Sequence, residues 1–146
     1  MKFSISLTSG TDKPVSAAEI QAFAKSTEAL GFHGIYVTDH FYHNNPNFHS
    51  VSAAAVLCAA TKHLQIGFSA YQVPLRHPIV IAKEFAMLDA LSEGRLVTAF
   101  ATGSYEKEFE ALGIPFKQRG KMLDEGIRAI RQLWENDVAS FCGDFW

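Results

Sequence analysis

The fold class of this chain is decided by residues 88–113, which read LDALSEGRLVTAFATGSYEKEFEALG. An apolar helical pattern stops at Gly94, and an apolar run of β-forming residues follows over 96–101. A polar tip, TGS at 102–104, comes next, ahead of a short helical segment that Gly113 ends. A helix that leads into a strand, with another helix after it, is typical of a parallel α/β sheet. The stretch therefore predicts α/β architecture with a polar loop at the carboxyl end of a strand.

The same alternation extends over the rest of the chain. Four β/α units demand parallel strands with right-handed crossovers. A TIM barrel holds eight such units in about 250 residues, so four units correspond to half of one. An open doubly wound sheet also fits, but the first strand–helix turn lacks a G-x-G-x-x-G phosphate motif. We therefore predict an α/β chain of TIM-barrel type, a half or truncated barrel forming one domain over 1–146. The predicted strands are 3–7, 35–38, 64–70 and 96–101, the helices are 16–30, 51–61, 77–93, 106–112 and 119–134, and the tail 138–146 is a strand or hairpin.

The composition indicates one globular core and excludes several classes of protein. The chain is 48% hydrophobic and has a formal net charge of −2, with lysine and arginine dispersed, so we expect no nucleic-acid partner. No apolar run is long and uncharged enough to span a bilayer, and no secretory signal is evident. Cys58 and Cys142 form neither a disulfide framework nor a zinc pattern. We expect a soluble, cytoplasmic protein without a membrane partner.

A candidate catalytic pair follows the second predicted strand. Asp39 and His40 come where an apolar strand has just ended, and in parallel α/β proteins such strand ends form the reactive face. An imidazole donates or accepts a proton near neutral pH, and a neighbouring carboxylate fixes its tautomer. The alternative is a histidine that only satisfies nearby backbone groups. With His43 and His49 the pair also forms a loose cluster, but its spacing matches no zinc pattern, so we predict no metal site.

The polar tip after the fourth strand is a second candidate site. The backbone amides of Thr102, Gly103 and Ser104 are placed to hydrogen-bond an anion or the edge of a ring, although an ordinary turn with a helix cap explains them equally well. Other polar and aromatic residues have structural interpretations: Arg95 anchors a helix–strand turn, Arg119 and Glu125 lie on a helix away from the strand ends, and Phe68 and Tyr71 are core residues or ring contacts.

Several segments in order along the chain carry a family resemblance. They are MKFSISL, LGFHGIYVTDHF, TKHLQIGFSAYQVPLRHPIVIAKEFAMLDALSEGRL, ATGSYEKEFEALGIPF, and RGKMLDEG with IRQLW. The chain resembles, over essentially its whole length, the N-terminal half of the bacterial luciferase-like family of flavin- and deazaflavin-dependent oxidoreductases. That resemblance implies a TIM barrel that binds reduced flavin mononucleotide (FMN), or an 8-hydroxy-5-deazaflavin coenzyme, at the carboxyl mouth of the strands.

The resemblance also assigns roles to individual residues. His40 matches the family's active-site histidine, and Asp39 holds the adjacent acidic position. Ser69 and Ala70 match a dipeptide with a non-prolyl cis peptide bond behind the coenzyme ring. Thr102, ahead of Gly103 and Ser104, stands where the luciferase α subunit has an arginine that contacts the coenzyme phosphate, and Ala101 replaces a reactive cysteine, so luciferase activity itself is not implied.

The function implied is a monooxygenase that uses reduced flavin and dioxygen on a small organic substrate, with a flavin reductase as a partner. A deazaflavin-dependent dehydrogenase or reductase is the alternative, favoured somewhat by the aspartate–histidine pair. A third possibility is a non-catalytic flavin-binding or structural half-barrel. Four β/α units leave open sheet edges and an inner face that we expect to be apolar, so we predict a homodimer or a completing partner chain, and weak FMN binding.

Overall fold

A computed structural model describes residues 1–8, 14–41 and 48–146. The predicted β/α alternation is confirmed, and the predicted helices and strands 1 to 4 have boundaries within two residues of those observed. His43 lies outside the described residues. The elements are β1 (Ser4–Leu7), α1 (Ala17–Ala29), β2 (Gly34–Val37), α2 (Ser50–Ala60), β3 (Gln65–Gln72), α3 (Pro78–Ser92), β4 (Leu96–Ala101), α4 (Glu106–Leu112) and α5 (Arg119–Glu135), with 3₁₀ turns at Val73–Leu75 and Phe116–Gln118.

The two ends of α1 show how local sequence sets an element. At the start, the Glu19 N–H donates to Ser16 Oγ at 3.2 Å, and the Ser16 N–H donates to Glu19 Oε2 at 2.8 Å. This reciprocal capping box satisfies two backbone donors that a helix start leaves without intrahelical partners. After the last turn, Gly31 has φ +77°, a left-handed conformation that glycine adopts without a Cβ clash.

The chain divides into two compact units. Unit 1 comprises Met1–Tyr71 with Met87–Ala99, and unit 2 comprises Gln72–Ala86 with Phe100–Trp146. The strands form one sheet in the order β1-β2-β3-β4. Pairing is parallel between β1 and β2 and between β2 and β3. The first three strands therefore end at the same edge of the unit 1 sheet.

A close backbone approach joins β3 to β4 in unit 1. The Ile66 N–H donates to the Arg95 carbonyl at 3.1 Å. At the next residue, a Cβ on Gly67 would overlap the Val97 carbonyl oxygen. Glycine is required there because any side chain would force the two strands apart.

Arg95 holds the opposite, amino-terminal end of the unit 1 strands. Its Nε donates to the Ser92 carbonyl at 2.6 Å. Nη1 donates to Thr61 Oγ1 at 3.0 Å and to the Leu64 carbonyl at 2.8 Å. Nη2 donates to the carbonyls of Cys58 at 3.2 Å and Thr61 at 3.0 Å. The guanidinium thus ties the turn before β4 to the turn before β3, which confirms the structural role predicted for it.

The open face of the unit 1 sheet carries apolar side chains together with hydroxyl groups. A groove of about 400 Å³ runs along it. Ser4, Ser6 and Ser69 are exposed and place hydroxyl groups on this groove, beside Val97 and Ala99. In β1, Ile5 and Leu7 are half-buried while the two serines are exposed.

In unit 2, Glu125 of α5 binds the end of the chain. Its carboxylate accepts hydrogen bonds from the backbone N–H groups of Asp144, Phe145 and Trp146, each at 2.9 Å. A Cβ on Gly143 would overlap this carboxylate. The strand or hairpin predicted for the tail is therefore wrong, because these N–H groups donate to a side chain instead of to a neighbouring strand.

The longest helices of the described residues are α3, with 15 residues, and α5, with 17. Both carry charged side chains along their length. No helix within the described ranges is long and apolar enough to cross a membrane.

Candidate functional site

Two of the predicted site segments lie side by side in unit 1, one just after β2 and the other in β3. Val37, the last residue of β2, is paired with Phe68 of β3. Asp39 lies two residues beyond Val37, and Ala70 lies two residues beyond Phe68. The register therefore brings both segments to the carboxyl side of the sheet, at matching distances from a paired position.

Asp39 is a buried acid whose side chain is held by a serine. It is 3% exposed, and its Oδ1 accepts a hydrogen bond from Ser50 Oγ at 2.6 Å. Ser50 is the first residue of α2 and is itself 1% exposed. The positive end of the α2 dipole also favours a carboxylate there. Sequence reasoning missed Ser50, although a serine just ahead of an apolar helical run is a typical signal of a helix start.

His40 and His49 have different surroundings. His40 is half-buried and follows the buried aspartate directly. His49 is exposed and caps α2, since its Nδ1 accepts from the Ser52 N–H at 3.4 Å. Its ring also contacts Phe41, with centroids 6.2 Å apart. Among the described residues no group of three or more histidine, cysteine or acidic side chains is placed to hold a metal ion.

The Ser69-Ala70 peptide bond is cis, as the family resemblance implied. Ser69 is exposed and Ala70 is half-buried. The two residues lie inside β3 and not at its end, because the strand continues to Gln72. Sequence reasoning placed the strand end at residue 70.

The two aromatic residues that flank this dipeptide belong to the core. Phe68 and Tyr71 are fully buried, and their rings make a T-shaped contact with centroids 5.1 Å apart. Of the two alternatives that the sequence left open, the structure supports core packing.

The loop 102–104 belongs to unit 2 and is held from within that unit. Gly103 has φ +80°, and a Cβ on it would lie 2.9 Å from Phe109 and would overlap Gln72 Oε1. Thr102 Oγ1 donates to the Gly103 carbonyl at 3.3 Å. The threonine hydroxyl, which we predicted to contact a coenzyme, thus donates its proton within the loop. Ser104 is exposed.

Arg119 contacts this loop, so its predicted placement away from the strand ends is wrong. Its Nε donates to the Gly103 carbonyl at 3.2 Å. The prediction rested on the helical pattern of α5. That pattern could not show that Arg119, the first residue of α5 after the 3₁₀ turn, lies next to the residues that follow β4.

The groups present in unit 1 are suited to the polar edge of a flavin-type ring. Such an edge carries carbonyl and N–H groups, which hydrogen-bond to donors and acceptors of the protein. The half-buried imidazole of His40 and the exposed hydroxyl of Ser69 provide both. The buried carboxyl group of Asp39 is fixed by Ser50 and adjoins the imidazole in sequence.

Comparisons with known proteins agree with this chemistry. A family model described as luciferase-like monooxygenase matches residues 1–146. An F420-dependent glucose-6-phosphate dehydrogenase of Amycolatopsis mediterranei is 33% identical over 136 residues, which cover 88% of this chain and 41% of the relative. The oxygenase component of a flavin-dependent trigonelline monooxygenase from Acinetobacter baylyi is 36% identical over 123 residues, which cover 80% of this chain and 33% of the relative.

A solved structure of a monooxygenase is also similar to this chain. The crystal structure of the monooxygenase RslO1 from Streptomyces bottropensis matches all of this chain and 46% of its own, with a TM-score of 0.90 and 29% identity. The chain thus spans half or less of the length of the relatives it matches. Because the family model covers every residue, this chain belongs to the luciferase-like monooxygenase family of flavin-dependent monooxygenases and oxidoreductases.

Proposed function

We propose that residues 1–146 correspond to the first four β/α units of a TIM barrel and act in a flavin-dependent monooxygenase on a small organic substrate. One observation carries this proposal. Asp39-His40 follows β2 and the cis Ser69-Ala70 dipeptide lies in the neighbouring parallel strand β3, both in unit 1 and at matching distances from the Val37–Phe68 pair. Polar groups at the carboxyl side of parallel strands are the usual location of chemistry in this fold class.

In this proposal each residue of unit 1 has a distinct role. His40 donates or accepts a proton at the substrate oxygen, because imidazole serves as either acid or base near neutral pH. Asp39, held by Ser50, orients the imidazole or stabilises its charged form. Ser69 and Ala70 form the surface against which the coenzyme ring packs. A reduced flavin, when bound, supplies the electrons for the reaction with dioxygen.

A deazaflavin-dependent dehydrogenase or reductase is the second candidate. The observation that favours it is the F420-dependent relative, which aligns with 88% of this chain. In that reaction His40 would accept the proton of an alcohol, and dioxygen would have no part. The residues of unit 1 that we propose to act are the same in both cases.

A separate flavin reductase is the partner that we propose for the monooxygenase. The support is the name of the Acinetobacter relative, which is an oxygenase component and so works with another component. A deazaflavin enzyme would need no such partner.

The test is a titration of the purified chain with FMN, in its oxidised and reduced forms, and with coenzyme F420, followed by absorbance and fluorescence. We expect one coenzyme to show a saturable spectral change. His40→Ala should then lower turnover in the assembled enzyme by roughly 10²–10⁴, with little change in thermal stability. His63→Ala is the matched control, since His63 is exposed at the amino-terminal side of β3.

Two results would contradict the proposal. Absence of a spectral change with all coenzymes would favour a structural half-barrel without coenzyme chemistry. Turnover of His40→Ala within a factor of about three of the unmodified protein would show that His40 is not the acid–base group. Binding of F420 alone would select the second candidate over the first.

A further inference from the structure

A cavity of about 320 Å³ lies in unit 2, between the start of α3, the second half of α5 and the tail. Small-molecule sites in proteins have volumes of roughly 300–1,000 Å³, and an apolar cavity of about 150 Å³ already holds a benzene molecule. Most of the lining side chains are apolar, among them Pro78, Ala129, Leu133, Phe141 and Trp146. The cavity is therefore large enough for an aromatic ring with a short substituent.

The side of the cavity that Trp146 forms is fixed in position. The backbone N–H of Trp146 donates to Glu125 Oε1 at 2.9 Å, and its carbonyl accepts from the Gly143 N–H at 2.9 Å. Its indole nitrogen is buried and lies 3.8 Å from the place that a Cβ on Gly126 would take. The indole ring therefore packs against α5 beside Gly126. Because the backbone and the ring of Trp146 are both held, this wall needs no rearrangement to receive a ligand.

A histidine supplies a hydrogen-bond donor at this cavity. His77 directly precedes α3, and its Nδ1 accepts from the Ile79 N–H at 3.2 Å. The proton of the neutral imidazole is therefore on Nε2. The imidazole contacts the indole ring of Trp146 edge-on, with centroids 5.3 Å apart. Among the described residues the Nε2–H has no acceptor, so it is available to a ligand.

The other polar groups of the lining are neutral. The side chains of Gln132 and Ser140 make no hydrogen bond within the part of the chain that the structure describes. No aspartate, glutamate, lysine or arginine is found among the described residues that line the cavity. A charged ligand would lose water there without meeting a side chain of opposite charge, so a neutral ligand is favoured.

We propose that this cavity binds a neutral one-ring aromatic molecule that carries a hydrogen-bond acceptor such as a carbonyl group. The rings of Phe141 and Trp146 provide aromatic contacts, which favour edge-on or offset arrangements. The Nε2–H of His77 donates to the acceptor and thereby sets the orientation of the ligand. The inference goes beyond the proposed function and does not rest on it, because the cavity is lined by unit 2 alone, whereas the residues proposed to act belong to unit 1.

The two tryptophans of the chain provide the measurement. Trp146 lines the cavity, whereas Trp134 does not line it and donates its indole N–H to the Ala82 carbonyl at 3.1 Å. The ¹⁵N-labelled chain is titrated with acetophenone, and the two indole N–H signals, assigned with Trp134→Phe, are followed by NMR. We expect a saturable shift of the Trp146 signal, with a dissociation constant of about 1 mM or lower, while the Trp134 signal stays in place. No saturable shift, or equal shifts of both signals, overturns the inference.

A second ligand tests the role of His77. Ethylbenzene has a methylene group where acetophenone has its carbonyl, so it cannot accept a hydrogen bond. His77→Phe keeps an aromatic ring beside Trp146 and removes the donor. We expect it to weaken acetophenone binding roughly three- to tenfold, the effect of one net hydrogen bond, and to leave ethylbenzene binding unchanged. Equal effects on the two ligands overturn the inference. If His77→Phe does not fold, the His77 ring ¹⁵N signals of the unmodified chain decide instead, because they should shift with acetophenone and not with ethylbenzene.

A variant that fills the cavity completes the test. Ala139 is half-buried and lines the cavity, so Ala139→Leu should weaken both ligands about tenfold or more. Ala111→Leu is the matched control, since it adds the same atoms at an exposed position of α4 and should keep full binding. Thermal unfolding of both variants confirms that the fold is retained. Unchanged binding in Ala139→Leu would place the ligand elsewhere and overturn the inference. None of these results bears on coenzyme binding, so a failure here leaves the proposed function intact.

Discussion

At the scale of single residues, the carboxylate of Glu125 accepts the hydrogen bonds that a neighbouring strand would otherwise accept from the tail. Burial alone would raise the pKa of Glu125, but the three backbone N–H groups of the tail and the nearby Arg128 lower it below its ordinary value of 4.5. Hydrogen bonds to the charged form and a neighbouring positive charge both favour ionisation. Ionisation of this acid therefore strengthens the attachment of the tail to α5.

This predicts a specific pH dependence of stability. The pKa of Glu125 is lower in the folded state than in the unfolded state, so its contribution is complete above about pH 4.5 and is lost as the pH falls through the folded-state pKa. We expect Glu125→Gln to be less stable than the unmodified chain at pH 7, with the difference shrinking below pH 4.5. Denaturant unfolding at a series of pH values measures this difference.

Glu110→Gln is the control for that series. Glu110 is exposed on α4, so its substitution should change the unfolding midpoint little at any pH. A stability difference for Glu125→Gln that stays constant from pH 7 to pH 3 would show that the carboxylate is not what attaches the tail.

At the scale of elements, the sequence predicts helices and strands that depend on residues close together in the chain, and it misses contacts between residues far apart in the chain. The capping box at Ser16 spans three residues, and the helix that it predicts is present. The tail could not be predicted, because its partner Glu125 lies 19 to 21 residues away on α5. The contact of Ser50 with Asp39 was missed for a similar reason, since the pair forms only when the chain turns from β2 into α2.

The β3–β4 contact gives a prediction with an internal control. Gly67→Ala should destabilise the chain by about 3 kcal/mol or more, because its Cβ would overlap the Val97 carbonyl oxygen. Gly120→Ala introduces the same methyl group on α5, where nothing lies within 4 Å. There we expect a gain of about 0.5–1 kcal/mol, because alanine favours a helix. Denaturant unfolding of both variants checks the prediction, and equal effects at the two positions would contradict it.

At the scale of the whole molecule, β1 is the outer strand on one side of the sheet. The carbonyls of Phe3 and Leu7 accept hydrogen bonds from His33 and Thr38, so they point toward β2. Backbone groups alternate along a strand, so those of Ser4 and Ser6 face the outer edge. A strand edge whose outward backbone groups have no partner among the described residues favours pairing with another chain.

We therefore expect the chain to self-associate through β1, and Ser4→Pro to reduce that association. Proline removes the outward N–H of residue 4 and is tolerated on an edge strand. Ser4→Ala is the control, because it removes the hydroxyl and keeps the N–H. Light scattering coupled to size-exclusion chromatography gives the mass of each variant. A monomeric unmodified chain, or an equal mass for the proline and alanine variants, would exclude β1 as the contact.

The complete hydrogen bonding of the Arg95 guanidinium group limits which residues can replace it. Its five N–H donors are matched by the carbonyls of Ser92, Leu64, Cys58 and Thr61 and by the hydroxyl of Thr61. A lysine could serve at most three of these acceptors, so even the nearest substitute leaves some without a donor. Replacement of Arg95 is therefore costly in stability. Related chains are therefore expected to keep an arginine at this position, because no other side chain offers five N–H donors in one plane.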